Sequence, residues 1–126
     1  MRYLLNGPIE DGPLNSLFDD AWPNHPQTDF ASLAEESLLH VLAYDEETLV
    51  GFVRLVQCGR NQGFVFGPTV HPSAQGQGVG LQLLDEVAAG AKELGLTRLH
   101  VEFASGLRGF YARAGFRHTA AGVRRL

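Results

Sequence analysis

The sequence predicts a fold of the α/β (α+β) class, in which a mixed, mostly antiparallel central sheet with one parallel strand pair is flanked by four helices. Three observations carry this expectation. Strand-like runs at 38–44, 49–56 and 64–70 follow one another through short polar loops, which makes them antiparallel neighbours. Beyond them Leu83, Leu84, Val87, Ala88, Ala91 and Leu94 recur at helical spacing and stop at Gly95. The alternating run 98–103 comes next, so a strand–helix–strand crossover joins it to 64–70 and those two strands lie parallel.

Each element has a local reason. Residues 2–5 form a short first strand, closed by the turn signal Asn6-Gly7-Pro8. From Pro13 the apolar residues Leu14, Leu17, Phe18, Ala21 and Trp22 repeat at helical spacing, and Pro23 with Pro26 ends the helix. A second helix is expected over 30–37, with Asp29 as its N-cap. The hairpin between the next two strands turns at Asp45-Glu46-Glu47-Thr48, and a second turn spans 58–63, placing Cys58 in it. After 98–103, in which Leu99, Val101 and Phe103 share one face, residues 107–114 form a short helix ended by Gly115. From Phe116 the chain reads as extended, with a stub of a last strand near 121–126.

A chain of 126 residues is expected to form one domain, 1–126. The net charge of −4 argues against nucleic acid, whose binders gather lysine and arginine on one face. The N-terminus lacks a signal-peptide core and no apolar run is long enough to span a bilayer, so a cytoplasmic protein with no membrane partner is expected. Cys58 is the only cysteine, which excludes an intramolecular disulfide, and its context favours an incidental thiol. His25, His40, His71, His100 and His118 show no metal-ligand spacing, so no metal is expected.

The most informative segment runs from His71 to Leu81, where three glycines, Gly76, Gly78 and Gly80, stand between a strand end and a helix start. The first amides of a helix have no intrahelical partner, and the dipole there is positive. Glycines let phosphate oxygens approach such amides closely, so the segment reads as an anion site for a phosphate or pyrophosphate. A P-loop would need Gly-Lys-Ser/Thr, and no lysine occurs here. A dinucleotide fingerprint would need its third glycine where Leu81 stands, although Glu102 lies near the distance of that fingerprint's acidic residue.

Gln75-Gly76-Gln77-Gly78-Val79-Gly80 resembles the first signature of the GNAT acetyltransferase superfamily, and Phe110-Tyr111-Ala112-Arg113-Ala114-Gly115-Phe116 resembles the second. One helix and one strand separate the two motifs, as in that family, and the similarity extends over the order of elements. The resemblance implies a sheet of six to seven strands, with a splayed parallel pair holding acetyl-CoA as cosubstrate. Backbone amides of Gln75, Gly76, Gln77, Gly78, Val79 and Gly80 would hold the pyrophosphate. Thr69 and Val70 would pair with the pantetheine arm and the thioester. Tyr111 matches the tyrosine that protonates the departing thiolate. The family often has Asn where Ala104 stands and Ala where Leu107 stands, so Ser105 is the candidate to replace the missing contact.

The reaction so implied is direct attack of a neutral primary amine on the thioester, which requires a proton acceptor. Glu102 is the first candidate base and His71 the second, with a backbone amide near Val70 meeting the oxyanion. Trp22, His25 and Phe30, in and around the proline-containing connection of the first two helices, are candidates for the acceptor pocket. The acceptor is a small-molecule or peptide amine of unspecified identity. A homodimer through the last strand's edge is a further expectation. A non-catalytic acyl-CoA sensor of the same fold, a transferase for longer acyl chains or hydroxyl acceptors, and a nucleotide-dependent oxidoreductase remain as alternatives.

Overall fold

A computed structural model describes all residues, 1–126. The elements in chain order are β1 (Arg2–Leu5), α1 (Asp11–Ala21), α2 (Phe30–Glu35), β2 (Leu39–Asp45), β3 (Thr48–Gly59), β4 (Gln62–Val70), α3 (Val79–Glu93), β5 (Arg98–Val101) and α4 (Arg108–Arg113). Short 3-10 turns at Pro72–Ala74 and Ser105–Leu107 precede α3 and α4. The strands form one five-stranded sheet in the order β1-β2-β3-β4-β5, antiparallel except for the parallel pair β4–β5. The mixed sheet and its four helices match the sequence expectation, but the count of six to seven strands does not. Residues 116–126 pair with no strand. The reason is local: the only large apolar side chains beyond Phe116, Val123 and Leu126, face solvent and give a last strand nothing to bury.

The period-two pattern of β2 and β3 divides two apolar layers. Leu39, Val41, Ala43, Val53 and Leu55 face α3, where Leu83, Leu84, Val87 and Ala91 cover them. Leu42 and Phe52 face the opposite way and pack with Leu14, Leu17 and Phe30 of α1 and α2. The sheet is thereby covered on both faces, and the free edge of β4 beyond β5 lies between the two layers.

Several boundaries moved from the expected ones. Helix α1 begins at Asp11, because Pro13 falls in the first turn, where a missing N–H costs no hydrogen bond. Asp29 caps α2 by accepting from the Ser32 amide at 3.1 Å. That helix stops at Glu35 instead of Ser37, whose hydroxyl donates to the Leu33 carbonyl at 2.6 Å. The second hairpin turn is tighter than 58–63, so Cys58 lies on β3, exposed, and not in the turn. Strand β5 ends at Val101, because β4 turns away after the Val65–Val101 pair.

Candidate active site

The site starts from an irregularity in β4. Across the β3–β4 ladder Phe52 faces Thr69 and Arg54 faces Phe66, so β3 has one residue between these pairs and β4 has two. Gly67-Pro68 is therefore a bulge, which bends the strand and puts Phe66 and Thr69 on the same face. Proline suits this position, because it has no N–H to give to a ladder. Bend and splay together open a cleft of about 550 Å³. One wall is Val70, Ala74 and the glycine loop; the other is Leu107, Phe110, Tyr111 and Arg113.

The loop that enters α3 presents donors. Gly76 and Gly78 have φ of 77° and 82°, a left-handed backbone that glycine adopts without strain. No side chain caps α3, whose first backbone bond is donated by Gln82 to the Gly78 carbonyl. The amides from Gly76 to Leu81 thus donate to no other group of the protein. Free amides at a helix N-terminus, with the Arg113 guanidinium across the cleft, form a site that fits a pyrophosphate.

Tyr111 stands where the splay begins. Its ring is 4% exposed, stacked on Phe103 at 4.5 Å between centroids and edge-on to Phe110 and Phe116. A Cβ on Gly67 would lie 2.8 Å from the Tyr111 hydroxyl, so only glycine admits that oxygen here. Every buried side-chain polar atom has a partner, and this hydroxyl, bonded to nothing in the protein, therefore meets the cleft. Burial raises the Tyr111 pKa, which keeps the phenol protonated further into alkali than an ordinary tyrosine.

A second cavity, about 380 Å³, lies on the α1–α2 side of the bulge. Phe18, Trp22, His25, Phe30, Phe52 and Phe66 line it, together with Gly67, Thr69 and Arg54. Trp22 borders both cavities and donates from Nε1 to the Thr69 hydroxyl at 3.0 Å. His25 packs against both Phe18 and Phe30. Its Nε2 lies 3.0 Å from Asn15 Oδ1, an oxygen that also accepts from the Thr28 amide at 2.8 Å. The Asn15 amide nitrogen donates to the carbonyls of Asp11 and Thr28, which fixes its orientation. Nε2 of His25 must then carry the proton, and Nδ1 is left with a free lone pair.

Val70, Gln75, Gly76, Gly78, Val79 and Gly80 line the cleft with Tyr111, and Trp22, His25 and Phe30 meet at the second cavity. Thr69 sits in that second cavity. Gln77 is exposed and donates to the Ser73 carbonyl, and Ser105 is exposed outside both cavities. Glu102 is not brought to Tyr111: it lines a separate cavity with His100 and the C-terminal segment. His71 is tied to Asp20 at 3.0 Å and to Ser73, bracing α1 against the loop. No three His, Cys, Asp or Glu side chains gather where a metal ion could be held. The residues missed in the sequence are Gly67, Arg54, Asn15 and Arg113; for Gly67-Pro68 the signal was a Gly-Pro step inside a strand.

The comparisons with known proteins agree with this arrangement. The Acetyltransferase (GNAT) family model matches residues 10–116. A GNAT-family acetyltransferase from Streptococcus pneumoniae is 26% identical at a TM-score of 0.77, with 99% of this chain and 96% of that one covered. A putative acetyltransferase from Agrobacterium tumefaciens is 17% identical at a TM-score of 0.83, covering 100% and 99%. An aminoglycoside 6'-N-acetyltransferase from Acinetobacter haemolyticus is 19% identical at 0.76, covering 100% and 97%. No curated protein matches the chain by sequence. With both signatures on the two walls of one cleft and the family match spanning all but the ends, this chain belongs to the GNAT acetyltransferase family.

Proposed function

We propose that the chain, acting as one domain, transfers an acetyl group from acetyl-CoA to a primary amine by direct attack, with Tyr111 as general acid. The observation that carries this reading is the position of the Tyr111 hydroxyl against Gly67, at the bulge that separates the amide-lined cleft from the aromatic cavity. The free amides of the glycine loop hold the pyrophosphate, and β4 beyond Phe66, which has no strand partner on its β5 side, offers backbone groups to the pantetheine arm. The amine enters through the cavity of Trp22, His25 and Phe30. His25 Nδ1 takes its proton, because Asn15 holds the other ring nitrogen as a donor. The neutral amine so formed bonds to the acetyl carbon, the C–S bond breaks, and Tyr111 gives its proton to the sulfur. The surplus proton on the new amide nitrogen leaves to restore the Tyr111 phenol through solvent.

Thiol release from acetyl-CoA across a panel of primary amines tests this, wild type beside Tyr111→Phe. The variant should lose about 10²-fold or more in kcat with its CoA affinity kept. The pH profile gives a second readout. The acid form is the active one and its pKa is raised, so wild-type activity should persist to and above pH 10.0, the ordinary tyrosine value, before it falls. That alkaline limb should vanish in Tyr111→Phe. CoA binding without release for any amine would favour a non-catalytic acyl-CoA module.

A further inference from the structure

The aromatic cavity contains one permanent cation. Arg54, on β3, points into it with its guanidinium carbon 4.1 Å from the centre of the Phe66 ring. Its one hydrogen bond goes from Nη1 to the Ser37 hydroxyl oxygen, at 3.3 Å. Ser37 in turn donates to the Leu33 carbonyl, so its oxygen serves Arg54 purely as acceptor. No carboxylate lies within ion-pair distance of the guanidinium, since the molecule's single close ion pair is His71–Asp20. The other residues around this cavity include His25 and no acid. Glu36 acts on Arg54 from outside the cavity.

A half-buried guanidinium among aromatic rings has lost much of its water. Burial pushes the Arg54 pKa below its ordinary value, against the weaker opposing field of Glu36, yet arginine stays charged in proteins. The remaining N–H donors of its planar fork suit an anion with two coplanar oxygens.

We infer that the acceptor is an amine that also carries a carboxylate, an amino acid with an apolar or aromatic side chain, and that Arg54 binds this carboxylate. The inference rests on the transferase reading above and narrows its substrate. Position supports it: Arg54 faces Phe66 across the ladder, and Phe66 precedes Gly67, against which the Tyr111 hydroxyl lies. The carboxylate would thus sit one to three residue rises from the reacting centre, roughly 3–10 Å. That spacing matches a compact amino acid. Charge balance selects carboxylate over phosphate, because one guanidinium neutralises a monoanion and leaves a buried dianion half unpaired. Phe18, Phe30, Phe52 and Phe66 supply apolar surface for the side chain. A cavity of about 380 Å³ is at the small end of ligand sites.

The test is thiol release with matched pairs, phenylalanine against phenethylamine and leucine against isopentylamine, with phosphoethanolamine as a third arm. Wild type, Arg54→Met and Arg54→Lys are compared. The amino acids should exceed their decarboxylated partners in kcat/KM by about ten- to a hundredfold on the wild type, the range of a hydrogen bond to a charged group. Arg54→Met should bring that ratio near one, and Arg54→Lys should retain part of it. The inference is overturned if plain amines match the amino acids on the wild type, if phosphoethanolamine alone is acetylated, or if Arg54→Met slows both kinds equally. Calorimetric titration of phenylalanine into the CoA-saturated protein separates the two readings. Arg54-dependent binding without thiol release keeps the carboxylate site and removes the transferase, and release indifferent to the carboxylate does the reverse. If phenylalanine neither binds nor is acetylated, the carboxylate site is overturned whatever other amines do.

Discussion

The cleft beside β4 and the cavity beneath α1 and α2 lie on either side of the Gly67-Pro68 bulge, Pro68 lining the first and Gly67 the second, yet they are built in opposite ways. The cleft's polar lining is mostly backbone: amides from Gly76 to Leu81, aimed by two left-handed glycines and a helix start. The cavity's lining is mostly side chains from α1, the loop to α2, β3 and β4, fixed by packing and by Asn15. A backbone site tolerates changes of side chain as long as the chain can take the same path. A side-chain site depends on each group. With Tyr111 set apart as the reacting side chain of the cleft wall, removing single side chains should therefore hurt in the cavity and be nearly silent in the glycine loop.

The largest expected effect lies on the side-chain side and decides between two histidine and carboxylate roles. His25→Ala should lower kcat/KM by about 10²-fold or more, the range of a positioned general base. Added imidazole should restore part of the activity, which a packing defect would not allow. Glu102→Gln should stay within about threefold of wild type, because Glu102 lines a different cavity from Tyr111. A large loss in Glu102→Gln with a small one in His25→Ala would reverse the assignment.

At the boundary itself Gly67→Ala should cost about 10²-fold in kcat, the scale of a reacting group displaced by an ångström. The added Cβ would contend for the place of the Tyr111 hydroxyl, 2.8 Å away, while the cleft keeps its lining. The expected signature is a fall in kcat with unchanged CoA affinity. Equal losses in kcat and CoA affinity would mean that the bulge shapes the cleft as a whole.

The same contrast explains what the sequence made legible. Strand order, the crossover and the glycine loop rest on local patterns of apolar spacing and glycine, and these appear where they were expected. Tyr111 is marked by its motif. Arg54 and Asn15 carry no local mark, because an arginine on a strand and an asparagine on a helix become informative only when folding sets them beside Phe66 and His25. Strand alternation assigns Glu102 a face but does not say that β5 ends at Val101 or that this residue lines another cavity. The last strand failed for a related reason: an extended segment needs a ladder partner and an apolar face, and residues 117–126 offer neither.

The smallest effects belong to the backbone side, and a pair of variants tests them together. Gly78→Ala places a Cβ where φ is 82°, which costs about 1–2 kcal/mol. Space is not the difficulty, since an added Cβ would meet no atom within 4 Å. Its melting temperature should fall by several degrees, and CoA affinity should weaken several-fold as the amides are turned from their aim. Gln77→Ala, one position earlier, removes an exposed side chain that bonds only to the Ser73 carbonyl. Calorimetric CoA titration should find its affinity within about threefold of wild type. If Gln77→Ala weakens CoA more than Gly78→Ala, the anion is held by side chains after all. The division between a backbone-made cleft and a side-chain-made cavity would then fail at its centre.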